Sequence, residues 1–193
     1  MQQMETSEII IAKTQEWLEK AVIGLNLCPF AKAVHIKNQI RYVVTPATSE
    51  EEVLQTLIRE LQYLAQTSPS LVDTTLIIHP EVFPDFLDYN EFLAVAEGAV
   101  QAENLEGVIQ IASFHPQYQF AGTEPQDNTN YTNRSPYPML HLLRESSLTK
   151  VLETFPNPEL IPEKNMETLN HLGIEGWKKL NIPEAGKNSI RPK

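Results

Sequence analysis

The chain has 193 residues and a mass of 21.9 kDa, with 41% hydrophobic and 21% charged residues. These values suit one packed domain and exclude a disordered chain or a fibre. The apolar runs fall short of the roughly 18 residues of a membrane span. A single Cys excludes an internal disulfide and a Cys-rich zinc module. The 25 acidic and 15 basic residues give a net charge of −10, which disfavours nucleic acid and anionic membranes as partners. No Lys or Arg occurs between Arg59 and Arg134, while ten acidic residues lie from Asp73 to Asp127. The start carries Glu5 and Glu8 where a leader would be basic, so the expected location is the cytoplasm, which also suits a lone thiol.

Residues 8–25 read as a helix, with Ile10, Trp17, Leu18, Ala21 and Leu25 on one face. Gly24, Asn26 and Pro29 close it and leave Cys28 just beyond its end. Ile40 to Thr45 is β-branched and aromatic, a first strand. Ser49 with Glu52, or Thr48 with Glu51, forms a capping box ahead of a helix that buries Leu54, Leu57, Ile58, Leu61 and Leu64. Thr74 to His79 is a second strand. Pro84 opens another helix, through Phe86, Leu93, Ala96 and Val100, and Val108 to Phe114 is a third strand. Residues 115–136 are polar and turn-rich, a length of loop that is often functional. Pro136 and Pro138 introduce a helix through Leu140, Leu143, Val151 and Leu152. Residues 163–180 read as a further helix split at Gly173.

Strands alternating with helices imply an α/β fold. The expected sheet is small and mostly parallel, of three strands or slightly more, with crossover helices and a helical C-terminal segment. Residues 1–180 would form one domain and 181–193 a flexible tail.

Strands two and three both end in His-Pro, at His79 and His115. In an open parallel sheet, ligands bind beyond the carboxyl ends of the strands. Histidine there offers acid–base chemistry near neutral pH, or a metal ligand. Arg134 ends the long stretch without cations, and its guanidinium fork suits a carboxylate or phosphate. His141 and Glu145, spaced i and i+4, would share a helical face and could add metal ligands. Cys28 is a nucleophile if it reaches His115 and a buried structural thiol if it does not. No Gly-rich dinucleotide or phosphate loop, nucleophile elbow or His-Glu-x-x-His run occurs.

Three blocks carry a resemblance: Leu25-Asn26-Leu27-Cys28-Pro29-Phe30-Ala31; Phe114-His115-Pro116 with Tyr118 and Phe120; and Thr132-Asn133-Arg134-Ser135-Pro136-Tyr137-Pro138 through His141 to Glu145. In these the chain resembles an uncharacterised bacterial family, catalogued as domain of unknown function 1415, over roughly residues 8–180. The resemblance implies a whole single-domain protein and assigns no activity, cofactor or catalytic residue.

Three functional readings fit these residues. The first is a small-molecule enzyme, a hydrolase or transferase acting on an anionic substrate. In it His115 is the acid/base, Cys28 the nucleophile and Arg134 the anion anchor, with Asn133, Tyr131 and Tyr118 lining the site. The second is a non-catalytic binding or regulatory module whose long loop meets a partner. The third is a metal protein using His79, His115, His141 and Glu145 for a divalent ion.

Overall fold

The computed structural model describes residues 5–155 and 157–186. Helix α1, Ser7–Trp17, runs straight into a π-helical turn, Leu18–Ile23. Gly24 ends that turn where a side chain has no room, because a Cβ would collide with the carbonyl oxygen of Lys20. A short helix, α2 (Ala31–Ile36), follows Pro29 and leads to strand β1, Ile40–Val44. Ser49 caps helix α3, Glu50–Gln66, by accepting the Glu52 N–H, while the Glu52 carboxylate takes the Thr48 N–H. Strand β2 is Thr74–Ile78, helix α4 is Phe86–Ala102 and strand β3 is Ile109–Phe114. A 3-10 turn, Asn128–Thr132, interrupts the polar loop. Strand β4, Met139–Arg144, passes directly into α5, Glu145–Thr154. Helix α6, Ile161–Lys179, bends at Gly173, whose φ of 63° lies outside the helical region.

The expected α/β architecture and first three strands are present, but the sheet is a correction. It has four strands in the order β1-β2-β4-β3. β1 and β2 are parallel, and β4 is antiparallel to both β2 and β3. The sheet is therefore mixed, not a mostly parallel three-stranded one. The missed element is β4, for which the spacing of Leu140, Leu143 and Val151 predicts a helix. A short apolar run satisfies both periods, and here tertiary pairing decides between them. Leu140 pairs with Ile77 on one side and Ser113 on the other.

Helices cover both faces, so β2 is buried at every position. Leu57 and Leu61 of α3, and Phe92 and Ala96 of α4, pack with Ile77, Leu140 and Leu142. On the opposite face Trp17, Leu18 and Ala21 pack with Leu76, Ile78 and Met139. Phe30, just before α2, and Val34 of α2 meet Leu143 on that same side. Arg144, at the end of β4, donates to the carbonyls of Leu64, Thr67 and Val72. A cation thus closes the carboxyl end of α3, where free carbonyls and the helix dipole favour positive charge.

Residues 181–186, expected to begin a flexible tail, are docked against α1. Ile182 joins the apolar cluster of that face, Lys20 donates to the Asn181 carbonyl at 3.0 Å and Lys13 to the Glu184 carbonyl at 2.8 Å. The remainder of the expected tail, 187–193, lies outside the described residues. Among the described residues no helix is long and apolar enough to cross a membrane.

Leu140 is fully buried between the two layers. Leu140→Ala is expected to lower the unfolding free energy by about 2–5 kcal/mol in urea titrations, the usual range for such a truncation.

Candidate functional site

Strands β1, β2 and β3 run in one direction, so their carboxyl ends share an edge. His79 follows β2 there and His115 follows β3, as the sequence predicts. Both are buried, at 0% and 1% exposure. The ring of Tyr89, from α4, lies between them, 5.8 Å from His79 and 5.2 Å from His115. The Tyr89 hydroxyl donates to the Met139 carbonyl at 2.7 Å and accepts the Phe114 N–H at 3.1 Å. One phenol therefore ties the end of β3 to the start of β4.

Both ring nitrogens of His115 have partners within the chain. Nε2–H donates to the Phe83 carbonyl at 2.9 Å, and Nδ1 accepts the Gln117 N–H at 3.0 Å. The two bonds assign the tautomer. Phe83 itself sits at a φ of 62°, in the left-handed region that bulky side chains avoid. The His115 bond and the packing of Phe83 on His79 and Phe92 hold it there. His79 makes one long contact, Nδ1 to the Val82 carbonyl at 3.4 Å. Its Nε2 is buried without a hydrogen-bond partner among the described residues. Burial pushes His79 down to about 4 and also lowers His115. In this geometry the pair braces the edge of the sheet. For His115 to exchange a proton with a ligand, its bond to Phe83 or Gln117 must first open.

Cys28 stands between the π-helical turn and α2, half-buried. Burial pushes its thiol up, against the opposing pull of the Phe30 and Ala31 N–H groups. It packs with the clusters on the α1 and α2 side of the sheet, whereas His115 stacks on Phe86 and Tyr89 on the α4 side. The sheet separates the two, so the structure does not bring the expected nucleophile to the expected base.

The expected metal ligands are not gathered either. His141 lies on β4, not on a helix, and faces the α1 side, with Nε2 2.6 Å from the Thr74 hydroxyl. Burial pushes His141 down to about 4. Glu145 begins α5, so the helical i, i+4 pairing does not exist. Among the described residues no group of three His, Cys, Asp or Glu is placed to hold a metal ion.

The polar loop is ordered by a residue the sequence does not single out. Asn130 is fully buried, and its Oδ1 accepts the Phe120 N–H at 3.0 Å and the Thr123 hydroxyl at 2.9 Å. Its Nδ2 donates to the Glu124 carbonyl at 2.8 Å. Asn133 donates to the Ser113 carbonyl at 3.0 Å, fixing the loop to β3. Tyr118 packs between Phe86 and Phe120. Asn133 and Tyr118 therefore build the loop from behind.

Arg134 and Tyr131 face outward. The Arg134 Nε donates to the Tyr118 carbonyl at 3.1 Å and one terminal nitrogen donates to the Pro125 carbonyl. The guanidinium lies 4.7 Å from the centre of the Tyr131 ring, which is 4.4 Å from the ring of Trp177 on α6. No carboxylate lies within ion-pair distance of Arg134 among the described residues. Its backbone is equally fixed, because the Trp17 indole donates to its carbonyl at 2.9 Å. The stack lines a cleft of about 590 Å³, with Lys178 and Pro116 beside it and residues 181–185 as the far wall. Trp177 and Lys178 escape sequence reading because nothing in an amphipathic helix says which loop it will meet.

The far wall is held by polar contacts. The Glu5 carboxylate accepts Lys13 Nζ at 2.5 Å, the Tyr137 hydroxyl at 2.7 Å and the Gly186 N–H at 3.2 Å. Burial works to raise Glu5, but these hydrogen bonds hold it below the usual carboxylate range.

Fold and site together define a mixed α/β protein, helices on both faces, with an arginine–aromatic cleft at the carboxyl edge of the sheet. The chain belongs to the family described as protein of unknown function (DUF1415), whose sequence model matches residues 9–179. No curated protein and no solved structure matches it.

Asn130→Ala leaves several loop groups without their partner and is expected to cost about 1–3 kcal/mol, with proteolytic nicking appearing inside residues 115–136. Acid should weaken the fold in a defined window. His79 and His141 stay neutral when folded, so their contribution is complete above the ordinary value of 6.5 and is lost as pH falls toward about 4. Glu5 is held low, so its grip on residues 181–186 persists until pH falls through its depressed value. Urea titrations from pH 7 to pH 4 and hydrogen exchange of residues 181–186 measure the two effects separately.

Proposed function

We propose that this protein binds a small organic anion with an aromatic part in the cleft between the polar loop and α6. The observation that carries this reading is the stack of Arg134, Tyr131 and Trp177 at the cleft wall. Arg134 is anchored by backbone carbonyls, so its position is set while its charge is not cancelled by a carboxylate among the described residues. A preorganised guanidinium beside aromatic rings suits a carboxylate or phosphate attached to a ring. The size of the cleft suits a small molecule. A net charge of −10 makes nucleic acid a poor partner. Binding is favoured over acid–base catalysis because both nitrogens of His115 are already bonded and Cys28 lies across the sheet.

Phenyl phosphate is a direct probe. It should shift the indole N–H resonance of Trp177, and Arg134→Lys, which keeps the charge but loses the fork, should weaken binding about tenfold, equivalent to about 1.4 kcal/mol. Absence of binding, or equal binding by the variant, overturns the reading.

A further inference from the structure

A second, smaller cleft of about 410 Å³ adjoins the first at Arg134 and Pro116. It is bounded by Asp85 and Phe86 at the start of α4 and by Gln117, Gln119 and Pro125 of the polar loop. Arg134 and Pro116 line both clefts. Arg134 therefore stands where the two clefts meet. A ligand that fills both lobes must pass its charged group across Arg134 and continue beyond it.

The lobes differ in chemistry. The first offers the faces of Tyr131 and Trp177 beside the Arg134 cation, with Lys178 held in an ion pair by Glu175 at 2.7 Å. The second offers the amide of Gln117, the side chain of Gln119, whose nitrogen already donates to the Thr123 carbonyl, and the carboxylate of Asp85. Asp85 accepts the Leu87 N–H as a helix cap, so its charge is fixed in place. That charge repels a second anion and favours hydroxyl groups. The ligand's anion thus belongs at the junction, an aromatic group on one side and a hydroxyl-rich group on the other.

An acid group in the middle of a molecule narrows the chemistry. A carboxylate carbon has one substituent, so it ends a chain or branches from it. A phosphodiester or diphosphate has a substituent on each side and keeps its charge between them, and a guanidinium pairs well with its oxygens. Resting on the cleft reading above, we propose that the two lobes together take a phosphate-bridged conjugate, an aromatic base joined through a phosphodiester or diphosphate to a sugar. The anchor is a side chain, which agrees with the absence of any Gly-rich phosphate loop.

The experiment is calorimetric titration of the full chain with uridine diphosphate glucose, uridine monophosphate and phenyl phosphate. Gln117 is exposed and bounds the second lobe, so Gln117→Trp fills that lobe from outside the core. The diphosphate sugar should bind at least about tenfold more tightly than the monophosphate. In Gln117→Trp it should fall to the level of the monophosphate. If phenyl phosphate binds through Arg134 and the sugar conjugate binds no tighter than the monophosphate, the bridge is overturned and the anion cleft stands. A gain that survives Gln117→Trp also overturns the bridge. If no probe binds, both readings fall.

Discussion

Insertion of β4 antiparallel between β2 and β3 is the constraint on which the other features depend. Strands that leave the sheet at one edge, as β2 and β3 do, would otherwise lie side by side or expose unpaired backbone. With β4 between them, its backbone pairs on both sides. Helices on both faces then require apolar side chains above and below it. Met139 and Leu143 meet one layer, Leu140 and Leu142 the other. The direction of β4 also fixes the course of the polar loop. The chain leaves β3 and enters β4 at the same edge, so residues 115–138 must fold back over that edge. A cleft at the carboxyl ends of the strands is the geometric result.

The histidines at this edge show how local geometry redirects residues that look catalytic. Proline after His79 and after His115 turns the chain out of the strand at once. Both rings are then caught by Tyr89 and by the Phe83 turn. A buried neutral imidazole costs far less free energy than a buried charged one. The same desolvation that lowers their pKa values removes them from contact with water. The loop beyond them behaves in the opposite way. Asn130 and Asn133 are engaged inside, which leaves Arg134 and Tyr131 at the surface with fixed positions.

At the cleft the polar loop meets three other parts of the chain. Trp17 of α1 holds the Arg134 carbonyl, α6 supplies Trp177, and residues 181–185 form the far wall. Glu5, Lys13 and Tyr137 link the wall to α1 and to the segment before β4. The wall and the segment before β4 therefore share supports. The rigid side of the cleft is the loop, braced by buried side-chain hydrogen bonds. The side held by exposed and partly exposed polar contacts is the far wall, residues 181–185.

Much of the fold was legible because its signals are local. β-branched runs marked β1, β2 and β3, the Ser49 box marked the start of α3, and Gly173 marked the bend in α6. The polar loop and Arg134 were also visible, since a turn-rich stretch ending in a lone cation stands out from composition alone. The sequence by itself thus determined the α/β class, the early elements and the loop that carries the cleft. Tertiary structure decided the rest. Met139–Arg144 became a strand because β2 and β3 offered pairing on both sides, a fact no window of neighbouring residues contains. His115 became a brace and Cys28 was placed across the sheet because each element packs one face toward one layer. Trp177 met Tyr131 because α6 folds back on the loop from far along the chain. Periodicity and capping act over a few residues and can be read from them. Strand order, sheet face and cleft walls depend on contacts between distant segments, and those exist only once the chain has folded.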